Sequence, residues 1–422
     1  MRPRAHPTAH CIDPNTGLTM SNPDHDPYAG LSVGVFHQTA QERIVHGQPA
    51  GKAVLAEAKR LHAQRVFIVT GNSLGQLAAK GQGPVHDVAT SLAERHAGTF
   101  AAVSAHSPRE DVVAAAAAAR AARADLLVGI GGGSAIDATK ATLLCLWLGL
   151  ESADAMSPYR GGAPADVARP IQPPPDAIRM LSVSTTLSAP EFTAMAGITD
   201  SATHVKQTFM HRLMVPQVAI LDPAATLHTP DWLLYSTAIR SVDHAVETWC
   251  SPLATPATEA QSLQGLRLLA RALPAIQRDP RALAPRLQAQ FGMWQAISAL
   301  AAGVQTGASH GIGYALGAGF SVPHGHTSCV MLPAVLCWNS TVNAARQQAL
   351  SEAMGQPARP AHELIAELIA QLGQPGSLRA VGIKPDQLDE LARRAMAFPP
   401  VLANPRAITS AAQVAEILAL AW

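Results

Sequence analysis

The sequence has little net charge, few cysteines and no long apolar run, and each shortage excludes a class of protein. Its 422 residues carry 31 Lys and Arg against 30 Asp and Glu, a formal net charge of +1, so nothing favours binding to nucleic acid or to an anionic membrane. The longest apolar run, residues 141–150, is far shorter than the roughly 20 residues needed to cross a bilayer. We therefore expect small-molecule substrates and no membrane span.

The cysteines are scattered and form no Cys-x-x-Cys pair. They are Cys11, Cys145, Cys250, Cys329 and Cys337. Such an odd, widely spaced set indicates free thiols in a reducing compartment, which predicts a cytoplasmic protein. Residues 1–30 mix Pro, His, Asn and Asp without an apolar segment, so we expect a flexible tail rather than a signal peptide or an anchor.

Two kinds of periodicity divide the rest of the chain. Strands are predicted at residues 65–70, 99–104, 125–130, 180–184 and 218–221, with helices at 52–62 and 111–124. This alternation is typical of a parallel α/β sheet. From Pro230 onward the pattern is helical, without convincing strands. We predict an N-terminal α/β domain over residues 31–222 and an all-helical C-terminal domain over residues 223–422.

A glycine loop follows the strand predicted at 125–130. The loop is Gly131, Gly132, Gly133 and Ser134, and it leads into a predicted helix. Glycines let a backbone approach a pyrophosphate, and the N-terminus of a helix binds anions, so the loop indicates a dinucleotide site. It matches neither Gly-x-Gly-x-x-Gly nor a Walker loop, and an ordinary tight turn explains the same residues about equally well.

The choice between NADH and NADPH depends on the end of an earlier strand. Residues 65–70 are followed by Gly71 and Asn72, with no acidic side chain there to repel a 2′-phosphate. Either cofactor therefore fits this segment. A simple turn at Gly71 and Asn72 accounts for them as well.

Three separated histidines form a second candidate site. His244 lies in a helical pattern, His310 begins another helix, and His324 follows a proline in a turn. Imidazole is a common ligand of Zn and Fe, and three such ligands leave a coordination position open for substrate or water. Because the chain has 17 histidines, hydrogen-bonded core histidines remain an alternative interpretation.

Together these motifs resemble the iron-containing alcohol dehydrogenase superfamily, and within it the maleylacetate reductases, from about Gly34 to the end of the chain. In that family a Gly-Gly-Gly-Ser-x-x-Asp-x-x-Lys element binds the nicotinamide dinucleotide, which implies cofactor contacts from residues 131–134, Asp137 and Lys140. The Thr185–Thr186 pair, also implied to contact the cofactor, precedes Glu191 with the reductase spacing. The late Asn404-Pro-Arg406 is a further reductase feature.

Two positions depart from the family pattern. Arg240 stands where the alcohol dehydrogenases have an Asp that completes the metal site and where the reductases tend to have Asn. Asp243, which is adjacent to His244 in the sequence, is not expected to replace the missing metal ligand, because consecutive helical side chains diverge by about 100°. The resemblance thus implies weak binding, or none, of Fe or Zn by His244, His310 and His324. Tyr314 replaces a second family histidine and shares a helix face with His310, so its phenol could deliver a proton.

The resemblance implies reduction of maleylacetate, a small carboxylate substrate, by NADH or NADPH. Arg240 would hold a substrate carboxylate, the three histidines would orient the substrate, and Tyr314 or a histidine would supply the proton. Two alternatives stay open: a metal-dependent alcohol dehydrogenase, and a catalytically silent family member that acts as a binding protein. A homodimer is expected for an enzyme of this size.

Overall fold

Six parallel strands form the main sheet of the computed structural model, which describes residues 35–422. The tail predicted for residues 1–30 lies outside the described residues. Together with a separate pair, β6 and β7, the described residues form eight strands: β1 (Arg43–His46), β2 (Val66–Gly71), β3 (His96–Val103), β4 (Leu126–Gly131), β5 (Arg179–Ser184), β6 (Met195–Asp200), β7 (Val205–Met210) and β8 (Val218–Leu221). Their order in the main sheet is β1-β8-β5-β4-β2-β3, and every neighbouring pair is parallel. The predicted parallel sheet is confirmed.

Helices cover both faces of this sheet. They are α1 (Ala50–Arg60), α2 (Asn72–Ala79), α3 (Gly83–Leu92), α4 (Arg109–Ala121) and α5 (Gly133–Leu148). Two apolar clusters fill the two faces, one of them centred on α4 and α5 and the other on α1 and α3. The alanine-rich α4 buries small side chains such as Ala115, Ala116 and Ala119, so it packs closely without bulky residues.

Two strand regions were not predicted. β1 is only four residues long and half-exposed, too short for a readable periodicity. β6 and β7 form a separate antiparallel hairpin, paired from Met195 with Met210 to Asp200 with Val205. Only Ala196, Ile198 and Phe209 of this hairpin are buried, while the apolar Met195 and Met210 are exposed, so its apolar alternation is too short to predict a strand.

From Asp231 onward the described chain forms helices only, which confirms the helical C-terminal part. These helices are α6 (Asp231–Cys250), α7 (Pro256–Arg278), α8 (Leu283–Ala301), α9 (Ala308–Phe320), α10 (His324–Ala353), α11 (Ala361–Gln371), α12 (Leu388–Ala395), α13 (Pro399–Leu402) and α14 (Ala411–Leu420). The domain boundary near Asp222 stays a prediction. Within residues 35–422, no helix is both long and apolar enough to span a bilayer.

Helices α7 and α8 pack with their backbones almost in contact. A Cβ placed on Gly265 of α7 would lie 2.6 Å from the backbone nitrogen of Ala296 in α8. Such a contact cannot be relieved by turning a side chain, because the obstructing atom belongs to the backbone. Gly265 is therefore required by the helix packing.

We expect Gly265→Ala to destabilise the protein by about 1–3 kcal/mol, because the two helices must separate. The thermal unfolding midpoint measures this. Gly317→Ala in α9 is the matched control, since its Cβ would come no closer than 3.8 Å to another atom; replacing a helical glycine there should stabilise by about 0.5–1 kcal/mol. Equal midpoints for the two variants would contradict the close packing.

Candidate active site

The glycine loop lies at the C-terminal edge of the main sheet, between β4 and α5. Gly131 has a φ of +147°, a conformation that glycine adopts readily. A Cβ on Gly132 would lie 2.8 Å from Cγ2 of Thr186, so the loop is tightly packed. Among the described residues, no side chain caps the N-terminus of α5. Its free amides and the helix dipole provide the setting that a pyrophosphate needs.

The other predicted cofactor residues gather at the same edge of the sheet. Thr185 directly follows β5, and its amide donates to the carbonyl of Gly131 at 3.0 Å. Gly71 ends β2 and Asn72 begins α2. Because β2, β4 and β5 are neighbours in the sheet, these ends lie side by side. Segments far apart in the sequence therefore converge on one candidate dinucleotide site.

Lys140 takes a different role from the direct cofactor contact that the resemblance implies, whereas a cofactor contact by Asp137 stays a prediction. The Lys140 ammonium is fully buried and donates to the carbonyls of Pro190 at 2.6 Å and Met195 at 2.7 Å. Asp137 accepts a bond from the amide of Gly197 at 3.1 Å and lies 3.6 Å from the Lys140 ammonium. The expected contact is corrected for Lys140, because its donors are used by protein oxygens. The pair fastens residues 190–197 against α5.

The three predicted histidines meet where α6, α9 and α10 come together. His244 lies in the middle of α6, His310 in the first turn of α9, and His324 at the start of α10. The ring centroids of His244 and His310 are 4.9 Å apart. Tyr314 lies near both His310 and His324. The centre of its ring is 6.3 Å from that of His310, and it stacks on the ring of His324 at 5.9 Å. All four predicted side chains thus form one cluster, which we call the histidine cluster.

Arg240 lies one helical turn before His244, and its guanidinium is buried beside the histidine cluster. Only 4% of the residue is exposed, and its Cζ is 5.6 Å from the centre of the Tyr314 ring. Its Nη1 donates to Ser328 Oγ at 3.0 Å and lies 3.9 Å from a carboxylate oxygen of Asp243. A buried charge is costly unless it is paired, and Asp243 is the partner here.

Asp243 comes closer to the histidines than its divergence from His244 predicts. Its Oδ2 accepts bonds from the hydroxyls of Ser309 at 2.9 Å and Ser328 at 2.6 Å, and it lies 3.3 Å from Nδ1 of His310. The contacts with Ser309 and His310 bring its carboxylate to the cluster from the side of α9. That Asp243 does not replace the missing metal ligand stays a prediction.

Glu247 holds His310 in place, a role that the sequence pattern did not assign to it. Its Oε2 lies 2.7 Å from Nδ1 of His310, and its carboxylate accepts bonds from the amides of Gly307 at 2.9 Å and Ser309 at 2.7 Å. A carboxylate can only accept, so Nδ1 carries the proton and donates it in this bond. Within the described chain, Nε2 of His310 and Nδ1 of His244 are buried without a hydrogen-bond partner. Two nitrogens are thus left for a ligand.

Burial and nearby charges shift the pKa values of the three imidazoles in different directions. Burial, followed by the nearby positive groups, lowers the pKa of His244 well below its usual range. The pKa of His324 is also well below that range, principally because of the guanidinium of Arg240. Burial and the guanidinium of Arg240 also lower the pKa of His310. The carboxylates of Asp243 and Glu247 outweigh both effects, so the pKa of His310 is raised. His310 is therefore the imidazole that retains a proton most readily.

The residues of this site do not fit a divalent metal ion. Asp243, Glu247 and His310 do offer ligand atoms within 4.8 Å of one another. Asp243 Oδ2, Glu247 Oε2 and His310 Nδ1 are engaged in hydrogen bonds with one another or with serine hydroxyls, whereas Asp243 Oδ1 and His310 Nε2 have no partner within the described chain. The obstacle to a metal ion is Arg240, whose guanidinium lies 3.9 Å from Asp243. A divalent ion about 5 Å from a guanidinium is repelled by roughly 7 kcal/mol at an effective dielectric constant of 20. Weak metal binding, or none, stays our prediction.

Comparison with known proteins matches nearly all of the described chain. The model of the iron-containing alcohol dehydrogenase family matches residues 41–223, and the model of the C-terminal part of the Fe-containing alcohol dehydrogenase family matches residues 235–422. Dehydrogenase FUM7 of Gibberella moniliformis is 32% identical over 403 residues, covering 86% of this chain and 92% of that protein. Maleylacetate reductase of Pseudomonas sp. (strain P51) is 27% identical over 392 residues, covering 92% and 98%.

A solved structure agrees with this match. The crystal structure of maleylacetate reductase from Rhizobium sp. strain MTP-10005 superposes with a TM-score of 0.76 at 26% identity, covering 92% of this chain and 98% of that one. The similarity therefore extends over both the sheet and the helices that carry the histidine cluster.

We expect Gly132→Ala to weaken the binding of NADH and NADPH about tenfold, an effect of about 1.4 kcal/mol. The new methyl group would collide with Cγ2 of Thr186 and displace the loop. Titration of nicotinamide fluorescence measures the dissociation constant. Thr186→Ser removes that Cγ2, so the double variant Gly132→Ala/Thr186→Ser should regain much of the lost affinity. Wild-type affinity in the Gly132→Ala protein would contradict this placement of the cofactor.

Proposed function

We propose that this chain, which belongs to the iron-containing alcohol dehydrogenase family, is a reductase of the maleylacetate reductase branch. Its substrate is then an unsaturated keto acid, with maleylacetate as the first candidate. Members of this family are oxidoreductases that use NADH or NADPH, and the glycine loop of this chain is built for such a dinucleotide. The enzyme class follows from the family. The substrate is our proposal.

The buried guanidinium of Arg240 carries the proposal. It lies beside the histidine cluster, where the alcohol dehydrogenases of the family have a metal-binding Asp. A guanidinium binds a carboxylate through two parallel hydrogen bonds, and this interaction is strong in a site from which water is excluded. Maleylacetate carries two carboxylates and an enone. A fixed cation at this place supports the choice of a carboxylate substrate over a simple alcohol.

The unpaired nitrogens of His310 and His244 are suited to bind the ketone oxygen of the substrate. When the reduced nicotinamide is bound, it supplies a hydride for the carbon–carbon double bond. The electron pair of that bond then moves onto the ketone oxygen, which becomes an enolate. His310, held on Glu247 through Nδ1, presents its buried Nε2 to this oxygen, and His244 presents Nδ1. Both can orient the substrate, and His310 in its protonated form can stabilise the enolate.

Protonation of the enolate carbon completes the reaction and gives 3-oxoadipate. Tyr314 shares a face of α9 with His310 and stacks on His324, so its phenol borders the same site. We assign proton delivery to Tyr314 or to His310. No step needs a Lewis acid, because Arg240 and His310 together supply the positive charge near the substrate.

The direct test is the rate of NADH and NADPH oxidation by the purified protein with maleylacetate, measured with and without a chelator. We expect turnover that resists the chelator. Arg240→Ala should lower kcat/KM at least about 100-fold, since truncating one partner of a buried charge pair costs roughly 2–5 kcal/mol. Arg240→Lys keeps the charge without the two-pronged geometry and should fall between. Unchanged cofactor affinity in both variants shows that they are folded.

Three results would contradict the proposal. Full activity of Arg240→Ala with maleylacetate would remove Arg240 from the site. Oxidation of simple alcohols that stops on chelation would favour the metal-dependent alcohol dehydrogenase. Failure to bind either nicotinamide cofactor would favour the catalytically silent binding protein.

A further inference from the structure

The N-terminus of α9, which carries His310, is held entirely by side chains from distant parts of the chain. The first amides of a helix have no partner within the helix and must find one elsewhere. Glu247 of α6 accepts from the amides of Gly307, Ser309 and His310 at 2.9, 2.7 and 3.3 Å. The remaining amide, that of Ala308, donates to Oδ1 of Asn404 at 3.3 Å.

The side-chain amide of Asn404 can make this bond in one orientation only. Its Nδ2 donates to Oδ1 of Asn339 and to the carbonyl of Arg406, both at 2.7 Å. Its Oδ1 accepts from Nδ2 of Asn339 at 3.1 Å. The side-chain amides of Asn339, on α10, and of Asn404, in the late segment 404–406, therefore bond each other reciprocally. Asn404 and Asn339 are 6% and 3% exposed. All the hydrogen-bonding capacity of the Asn404 amide is used, which fixes its orientation.

The late segment is itself anchored firmly. Arg406 places its Cζ 3.7 Å from the ring centre of Trp338, and its Nη1 donates to the carbonyl of Trp338 at 2.8 Å. At the other side, a Cβ on Gly307 would lie 3.0 Å from Glu247 and 3.2 Å from Asn404. The start of α9 is therefore enclosed between a carboxylate on one side and an amide on the other.

We propose that Asn404, paired with Asn339, is a positioning residue that sets where His310 stands relative to the substrate. Glu247 fixes the orientation of the imidazole, whereas Asn404 fixes the position of the helical turn that carries it. Loss of Asn404 releases the turn and lets Nε2 of His310 leave the place it must occupy. The effect on catalysis rests on the proposed function, but the effect on His310 does not.

The variants are Asn404→Leu and Asn339→Leu, separately and together, with Gln347→Leu as the matched control. Gln347 is a buried amide on α10 that bonds the carbonyl of Leu336 at 2.7 Å and Oδ1 of Asn343 at 2.9 Å, with no bond to α9. All three single variants lose a buried amide and should lower the unfolding midpoint. Only the Asn404 and Asn339 variants should alter His310.

We expect Asn404→Leu to lower kcat with maleylacetate at least about 30-fold, an effect of about 2 kcal/mol, while KM for NADH stays within about twofold. The solvent deuterium isotope effect on kcat should rise, because proton delivery becomes slower. The double variant should be no worse than the worse single variant, since the two amides act as a unit. Gln347→Leu should keep kcat within about twofold of wild type.

A second readout needs no turnover. The proton shared by Nδ1 of His310 and Glu247 should give a far-downfield proton resonance, assigned by its loss in His310→Asn. We expect this resonance to shift or broaden in Asn404→Leu and to stay in place in Gln347→Leu. An unchanged resonance, or equal losses of kcat in the Asn404 and Gln347 variants, would overturn the positioning role. Inactivity of the wild type with maleylacetate, beside the expected resonance change, would count against the substrate and support the positioning role.

Discussion

Two cations and two carboxylates buried together at the meeting point of α6, α9 and α10 are the constraint on which this site depends. Removing an ion from water costs several kcal/mol even after the protein relaxes, so each charge needs a partner. Arg240 pairs with Asp243 through the hydroxyl of Ser328, and His310 pairs with Glu247. With His310 protonated, the group is electrically balanced. Arg240 lies beside the histidine cluster and His310 belongs to it, which supports the proposal of an anionic substrate.

The same carboxylate that pairs with His310 also caps the helix that carries it. Glu247 accepts bonds from the backbone at the start of α9, and Asn404 completes the cap from a segment near the end of the chain. Folding and chemistry therefore share their groups here. A substitution at Glu247 would disturb the helix and the imidazole at once, whereas Asn404 acts on the helix without touching the ring. The fold places the imidazole of His310 through contacts with the backbone as much as through contacts with the side chain.

What could be predicted from the sequence was mostly local. The buried strands and the glycine loop after β4 are short-range patterns, and the structure has them within about three residues. The convergence of the histidines was a hypothesis from residue type, supported by the family resemblance, because no periodicity links α6 with α9. The roles of Glu247 and Asn404 were not predictable, since their partners lie 63 and 96 positions away. Lys140 shows the opposite error: the motif predicts a contact with the cofactor, but the ammonium donates to the carbonyls of Pro190 and Met195.

The family resemblance implies that Arg240 and its partner Asp243 occupy the place that a divalent ion takes in the alcohol dehydrogenases of the family. Elemental analysis by mass spectrometry, on wild type and Arg240→Asp purified without chelators and then incubated with Fe(II) or Zn(II), tests it most directly. Wild type should retain far less than one ion per chain. Arg240→Asp removes the repelling charge and adds a ligand, so it should retain about one. Stoichiometric metal in the wild-type protein would show that Arg240 does not exclude a divalent ion.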